Sequence, residues 1–146
     1  MRLSSTGLDL IKRRTGLNLK ACQDSPGIWF IGYGHYGDVH EGMVITEDEA
    51  QAKLEYEIGR YERLLAETLQ VPVNQGQWDA LILLVFDRGI ARIRASTLIR
   101  HVNAGNFEAA AAEFIRWVDV AGRPNMHMVR RREVERLLFL QGSLAA

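Results

Sequence analysis

The strongest constraint on this chain is a run of glycines and aromatics between Thr15 and Asp38, TGLNLKACQDSPGIWFIGYGHYGD. Glycine stands at 16, 27, 32, 34 and 37, and again at 42. Glycine loses more backbone freedom on folding than any other residue. Such density is favourable only where the chain takes positive φ or passes close to another segment. A continuous helix is therefore excluded here. Asp24-Ser25-Pro26-Gly27 has the composition of a turn, and Ile28-Trp29-Phe30-Ile31 that of a strand. Gly32-Tyr33-Gly34-His35 then leaves a bent, partly bare backbone with polar tips. That suits the wall of a small-molecule cleft, and equally a small hairpin capping a helical domain.

Around this stretch the pattern is helical. Ser4, Ser5 or Thr6 caps a first helix through about Arg14, with Leu3, Leu8 and Ile11 inward and Gly16 ending it. Thr46 and Glu49 form a capping box. The helix it opens carries Ala50, Leu54, Ile58, Tyr61 and Leu65 on one face. Val71-Pro72-Val73 breaks it. Asn74 and Gln77 open a second box, and the helix from Trp78 to Phe86 is apolar nearly all round, which predicts the centre of a core. Asp87-Arg88-Gly89 ends it. Ser96 or Thr97 caps a short helix through His101. Phe107, Ala110, Ala111, Phe114 and Val118 mark another, and residues 119–124 read as a loop. Asn125 caps a last helix carrying Val129, Val134, Leu137 and Leu138.

Composition narrows the classes. Lys plus Arg equals Asp plus Glu at 18 each, so the basic excess of a nucleic-acid footprint is missing. A single cysteine, Cys22, excludes an intramolecular disulfide. His40, His101 and His127 have no metal-ligand spacing, and Cys22 has no nearby partner, so no metal or cofactor is expected. The opening residues lack the apolar run of a signal peptide. The longest apolar run, Ala80 to Phe86, falls far short of the roughly 20 residues that cross a bilayer. The expectation is a monomer made in the cytoplasm, without nucleic-acid or membrane partners.

The string LIKRRTGLNLKACQDSPGIWFIGYGHYGDVHEGMVITEDEA resembles the N-terminal half of phage-type lysozymes, the short endolysins that cleave peptidoglycan glycan strands. The likeness continues through FDRG, STLI, NAGNFEAAAAEFIRW and VRRREVERLLFL, over nearly all of the chain. It implies a mostly helical α+β fold of two lobes over residues 1–146. These are a small antiparallel β lobe over about 16–45, a linking helix over about 46–68, and a helical lobe over about 70–142 that includes the N-terminal helix. It implies peptidoglycan glycan strands as the partner, reached with the help of a holin or a phage particle.

At the positions where the family carries its chemistry, this chain departs. The resemblance places the catalytic Glu at Thr15, the central Asp at Asp24 and the water-positioning Thr at Phe30. Glycoside hydrolysis uses two carboxyl groups, one a proton donor, and a hydroxyl is far too weak an acid to replace it. Asp24 is either the retained second carboxylate or a turn aspartate bonded to nearby amides. Asp87 stands where the family commonly has an amide. It is either a relocated acid or base in an apolar setting, or an anion paired with Arg130 or Arg131. His35, Phe30, Tyr36, Phe86, Trp117 and Arg131 are the expected substrate-binding residues. Alternatively, the arginines of 130–132 form a solvated helix face with Glu133 and Glu135. Phe30 and Tyr36 make the cleft more aromatic and less suited to a hydroxyl-rich sugar, and they offer a stacking surface for a flat molecule; the expected cleft ligand is peptidoglycan glycan or a small aromatic. Three functions follow. One is residual or relocated muramidase chemistry with Asp24 and Asp87. Another is a non-catalytic peptidoglycan-binding or phage structural module. The third is a repurposed or engineered cleft with Asp87 as general base.

Overall fold

Two capping boxes fix where the principal helices begin. The computed structural model describes residues 1–142. At the first box, Glu49 N–H donates to Thr46 Oγ1 at 3.1 Å and Thr46 N–H donates to Glu49 Oε1 at 3.1 Å. At the second, Gln77 N–H donates to Asn74 Oδ1 at 2.8 Å and Asn74 N–H donates to Gln77 Oε1 at 2.9 Å. Each satisfies two amides that the first helical turn leaves without partners. In chain order the elements are α1 (Ser5–Thr15), β1 (Asn18–Gln23), β2 (Trp29–Gly32), β3 (His35–Tyr36), α2 (Glu47–Thr68) and α3 (Gln75–Arg88). They continue with α4 (Ile90–Arg94), α5 (Thr97–Asn103), α6 (Phe107–Glu113), a 3-10 turn at Phe114–Arg116, β4 (Asp119–Val120), β5 (Arg123–Pro124) and α7 (Met126–Gln141). This is the mostly helical α+β architecture expected.

The chain forms two compact units, one of Leu8–Arg60 and one of Met1–Gly7 with Tyr61 onward. The division falls inside α1 and inside α2, so most of α1 belongs with the sheet-bearing unit rather than with the helical one as expected. In that unit β1, β2 and β3 form an antiparallel sheet in sequence order. Asp24 to Gly27 makes the turn that joins β1 to β2, with Gly27 N–H donating to the Asp24 carbonyl at 2.8 Å. Gly32 shows why glycine is needed. Its φ is +65°, and a Cβ there would stand 3.3 Å from the Ala50 Cβ. Close approach and left-handed backbone both exclude a side chain at that point.

The helical unit is built around α3. Residues 76–85 are buried without a break, and Leu81, Ile82, Leu84 and Val85 are fully enclosed. Gly89, with φ +91°, closes the helix by donating its N–H to the Val85 carbonyl. Gly76 lies so close to Gly142 that a Cβ would meet that backbone at 2.1 Å.

Four details differ from the sequence expectation. Residues 119–124 are a two-stranded hairpin rather than a loop, with Ala121 and Gly122 at positive φ in its turn. A short helix, α4, follows Gly89 without a side-chain cap to announce it. Helix α6 ends at Glu113 in a 3-10 turn, so Val118 lies outside it. In α7 the enclosed stripe is Arg132, Glu135, Leu138 and Phe139, while Val134 and Leu137 are exposed. That stripe keeps the 3-4 spacing of a buried helix face, but two of its members are charged. Because Leu81 is fully buried, truncating it to Ala should cost about 2–5 kcal/mol, and Val85→Ala somewhat less, through lost transfer energy and a cavity. Urea unfolding checks this; a loss near zero at both would contradict the central packing of α3.

Candidate active site

In the sheet-bearing unit, the register brings Cys22, Phe30 and Tyr36 into line across the three strands, since Phe30 pairs with Cys22 on one side and with Tyr36 on the other. Directly opposed residues share a face. The Phe30 and Tyr36 rings accordingly lie 5.7 Å apart and tilted by 41°. Tyr36 is half-exposed, so the aromatic pair presents an open surface.

Asp24 sits at the edge of this face. Its Oδ1 accepts the Ile28 N–H at 2.8 Å, and its Oδ2 accepts the Tyr36 hydroxyl at 3.1 Å. The first bond is the turn contact that aspartate makes readily. The second joins the carboxylate to the aromatic pair. Burial, the hydrogen bond to Asp24 and the Asp24 charge all push the Tyr36 phenol above its ordinary value of 10.0. His35 takes the other side. It pairs with Ile31, which is fully buried, and side chains alternate along a strand. His35 therefore does not share the Phe30–Tyr36 face, although the sequence groups all three as binding residues.

Thr15 is the last residue of α1. Its hydroxyl lies 3.2 Å from the Gly16 carbonyl and 3.5 Å from the Lys12 carbonyl, turned back on its own backbone. Its methyl fills the space beside Gly34, where a Cβ would approach it to 3.3 Å. Cys22 is half-buried, its thiol 3.3 Å from the Lys20 carbonyl.

In the helical unit, Asp87 in the last turn of α3 is held by two arginines. Arg131 donates to Oδ1 at 2.8 Å and Arg132 donates to Oδ2 at 2.7 Å. The partners expected from sequence were Arg130 or Arg131; Arg130 is exposed. Arg132 is fully buried and also donates to Glu135 Oε2 at 2.9 Å and to the Trp117 carbonyl at 3.1 Å. The solvated-face expectation thus fails at Arg132 and Glu135, both wholly enclosed. Their i,i+3 spacing with Leu138 was the available signal, masked by treating charge as a mark of exposure. Phe86 packs edge-on to Tyr61, centroids 6.1 Å apart. Trp117 lies beneath the Arg92 guanidinium at 5.1 Å. Among the described residues, no three His, Cys, Asp or Glu side chains gather as a metal would require, and no helix is long and apolar enough to cross a membrane.

Two tests follow from this geometry. Asp87→Asn leaves buried Arg132 short of a counter-charge, so stability should fall by about 1–3 kcal/mol; the sequence offered Arg130 or Arg131 as partners and did not reveal buried Arg132. Chemical denaturation checks this. For Tyr36, a raised folded-state pKa means that its contribution to stability is complete below about pH 10 and is lost as pH rises through the folded value. Asp24→Asn removes both the charge and the hydrogen-bonded carboxylate. Ultraviolet titration of the phenol should then shift downward; an unchanged curve would show that Asp24 does not act on Tyr36.

With the fold and both clusters placed, the chain's likeness to known proteins can be assessed. A sequence model described as Phage lysozyme matches residues 12–135. The endolysin of Acyrthosiphon pisum secondary endosymbiont phage 1 is 41% identical over 143 residues, covering 95% of this chain and 98% of that protein. The Bacillus phage B103 endolysin is also 41% identical, over 145 residues, but the match covers 97% of this chain and 55% of that longer protein. Among solved structures, a mutant of P22 lysozyme superposes with a TM-score of 0.82 at 37% identity, covering 96% of this chain and 99% of that one. The chain belongs to the phage lysozyme family.

Proposed function

We propose that this protein keeps the family's engagement of peptidoglycan glycan strands while ordinary muramidase hydrolysis is lost or severely weakened. The observation that carries this reading is Thr15, whose hydroxyl is directed to backbone carbonyls at the end of α1. By resemblance this is the position of the proton donor. Hydrolysis of a glycosidic bond needs an acid there, and an alcohol cannot donate a proton at useful pH. Phe30, at the position of the water-positioning Thr, adds a ring where a hydroxyl would be needed and packs at a tilt against Tyr36. Asp24 retains a carboxylate with one amide and one phenol as donors, a polar setting suited to steadying positive charge.

Asp87 supports this reading more than it supports relocated chemistry. Both of its oxygens accept from guanidinium groups, which hold the carboxylate in place. A general base for a small aromatic substrate would have to break those bonds first. The partner is accordingly peptidoglycan glycan, with the Phe30–Tyr36 face as a sugar-stacking surface.

A turbidity assay on cell walls tests the proposal. The purified protein should give little or no lysis, since general acid catalysis contributes roughly 10²–10⁴-fold. The double variant Thr15→Glu, Phe30→Thr should raise lysis by at least about tenfold, with the two effects not expected to sum. Lysis by the unaltered protein within about tenfold of an intact relative would overturn the reading.

A further inference from the structure

We propose that the face formed by α4, the Phe114–Arg116 turn and the β4–β5 hairpin binds a phosphomonoester. Its phosphate would lie among Arg88, Arg92 and Arg116, and its organic carrier against Trp117. The site lies wholly within the helical unit and does not depend on whether the protein hydrolyses glycan.

Shape comes first. A cavity of about 490 Å³ is lined by Arg88, Arg92, Arg116, Trp117, Asp119 and the hairpin turn. A neighbouring hollow of about 510 Å³ shares Arg92, Arg116 and Trp117 and adds Glu113. These volumes fall in the range of small-molecule sites, about 300–1,000 Å³, and far exceed a bare phosphate.

Charge comes second. Arg131 and Arg132 are committed to Asp87 and Glu135. The three arginines of the cavity are less fully matched. Arg116 contacts Glu113 at 3.0 Å, but its side chain is 74% exposed, and an exposed pair of this kind holds weakly. Arg92 rests on the Trp117 ring. Arg88 donates Nη1 to the Asp119 carbonyl at 2.7 Å. Its Nε and Nη2 are buried without a hydrogen-bond partner, the nearest carboxylate oxygen to Nε being that of Asp87 at 3.9 Å. Burial pulls the Arg88 guanidinium below its usual range; Asp87 opposes this, while Arg132, Arg92 and Arg131 reinforce it. Asp119 is the one carboxylate lining the 490 Å³ cavity against these three guanidiniums; Glu113 stands in the neighbouring hollow and reaches only the exposed Arg116. The cavity's own lining therefore carries an excess of two positive charges, which a dianion matches and a monocarboxylate does not, and arginine forks suit phosphate oxygens in particular.

Carrier and phosphate are joined by Trp117. Arg92 covers one face of its ring, and Trp117 also lines both hollows, so a flat carrier would lie against the part of the indole that the cavity leaves open while its phosphate meets the arginines.

Phenyl phosphate is the probe, with benzoate and inorganic phosphate as controls, followed by the Trp117 indole N–H resonance and by calorimetry. Phenyl phosphate should saturate the site, bind at least about tenfold tighter than benzoate, and weaken as salt is raised. Inorganic phosphate should bind more weakly because it leaves Trp117 uncovered. Arg92→Gln, at an exposed position on α4, should weaken binding at least about tenfold with the thermal midpoint held. Arg88→Met, mostly buried, is compared only if its midpoint is also held. Absence of saturable binding, equal affinity for benzoate, or affinity unchanged by Arg92→Gln would overturn the proposal.

Discussion

The helical unit depends on one enclosed cation. Arg132 is fully buried on α7, and its guanidinium joins the carboxylate of Asp87 at the end of α3 to that of Glu135 on its own helix. A buried charge of this kind is costly unless paired and hydrogen-bonded. Once paired, it need not add net stability over an apolar replacement, but losing one partner leaves the other uncompensated. Its consequence is therefore geometric. Helix α7 cannot slide along α3 without separating Arg132 from Asp87, so the cluster fixes register where apolar packing alone would tolerate sliding. The Arg132 bond to the Trp117 carbonyl ties the segment leading into the β4–β5 hairpin to the same point.

Much of the scaffold was legible because its signals are local. The boxes at Thr46–Glu49 and Asn74–Gln77 and the cap at Asn125 rest on side chains reaching backbone amides a few residues away, so spacing alone identifies them. The unbroken apolar run of α3 could only be central. The β4–β5 hairpin was missed because two-residue strands have no alternation to read, and Ala121 takes a positive φ more often held by glycine or asparagine. The buried face of α7 was misread for a different reason. Arg132 and Glu135 follow helical period, but their enclosure depends on Asp87, 45 residues away, and no local pattern reports such a partner.

The resemblance nominated Thr15, Asp24 and Phe30 as site positions. It could not say that Tyr36 would hold Asp24 through its hydroxyl, because that contact arises from register between β2 and β3. The same register separates His35 from Tyr36, adjacent in sequence yet on opposite faces. A motif read as a string treats neighbours as companions; a pleated strand does the reverse.

The two aspartates show how setting assigns a role to one side-chain type. Asp24 meets neutral donors, an amide and a phenol. Asp87 meets two guanidiniums, which neutralise it and hold both of its oxygens. On the proposed reading this difference, rather than the number of carboxylates, limits the chemistry. A donor must be protonated at working pH and free to turn toward the leaving oxygen. Asp87 has both oxygens held by Arg131 and Arg132, so it is not free to turn. On that reading a carboxylate at position 87 does not stand in for a proton donor at position 15, because both of its oxygens are engaged by Arg131 and Arg132.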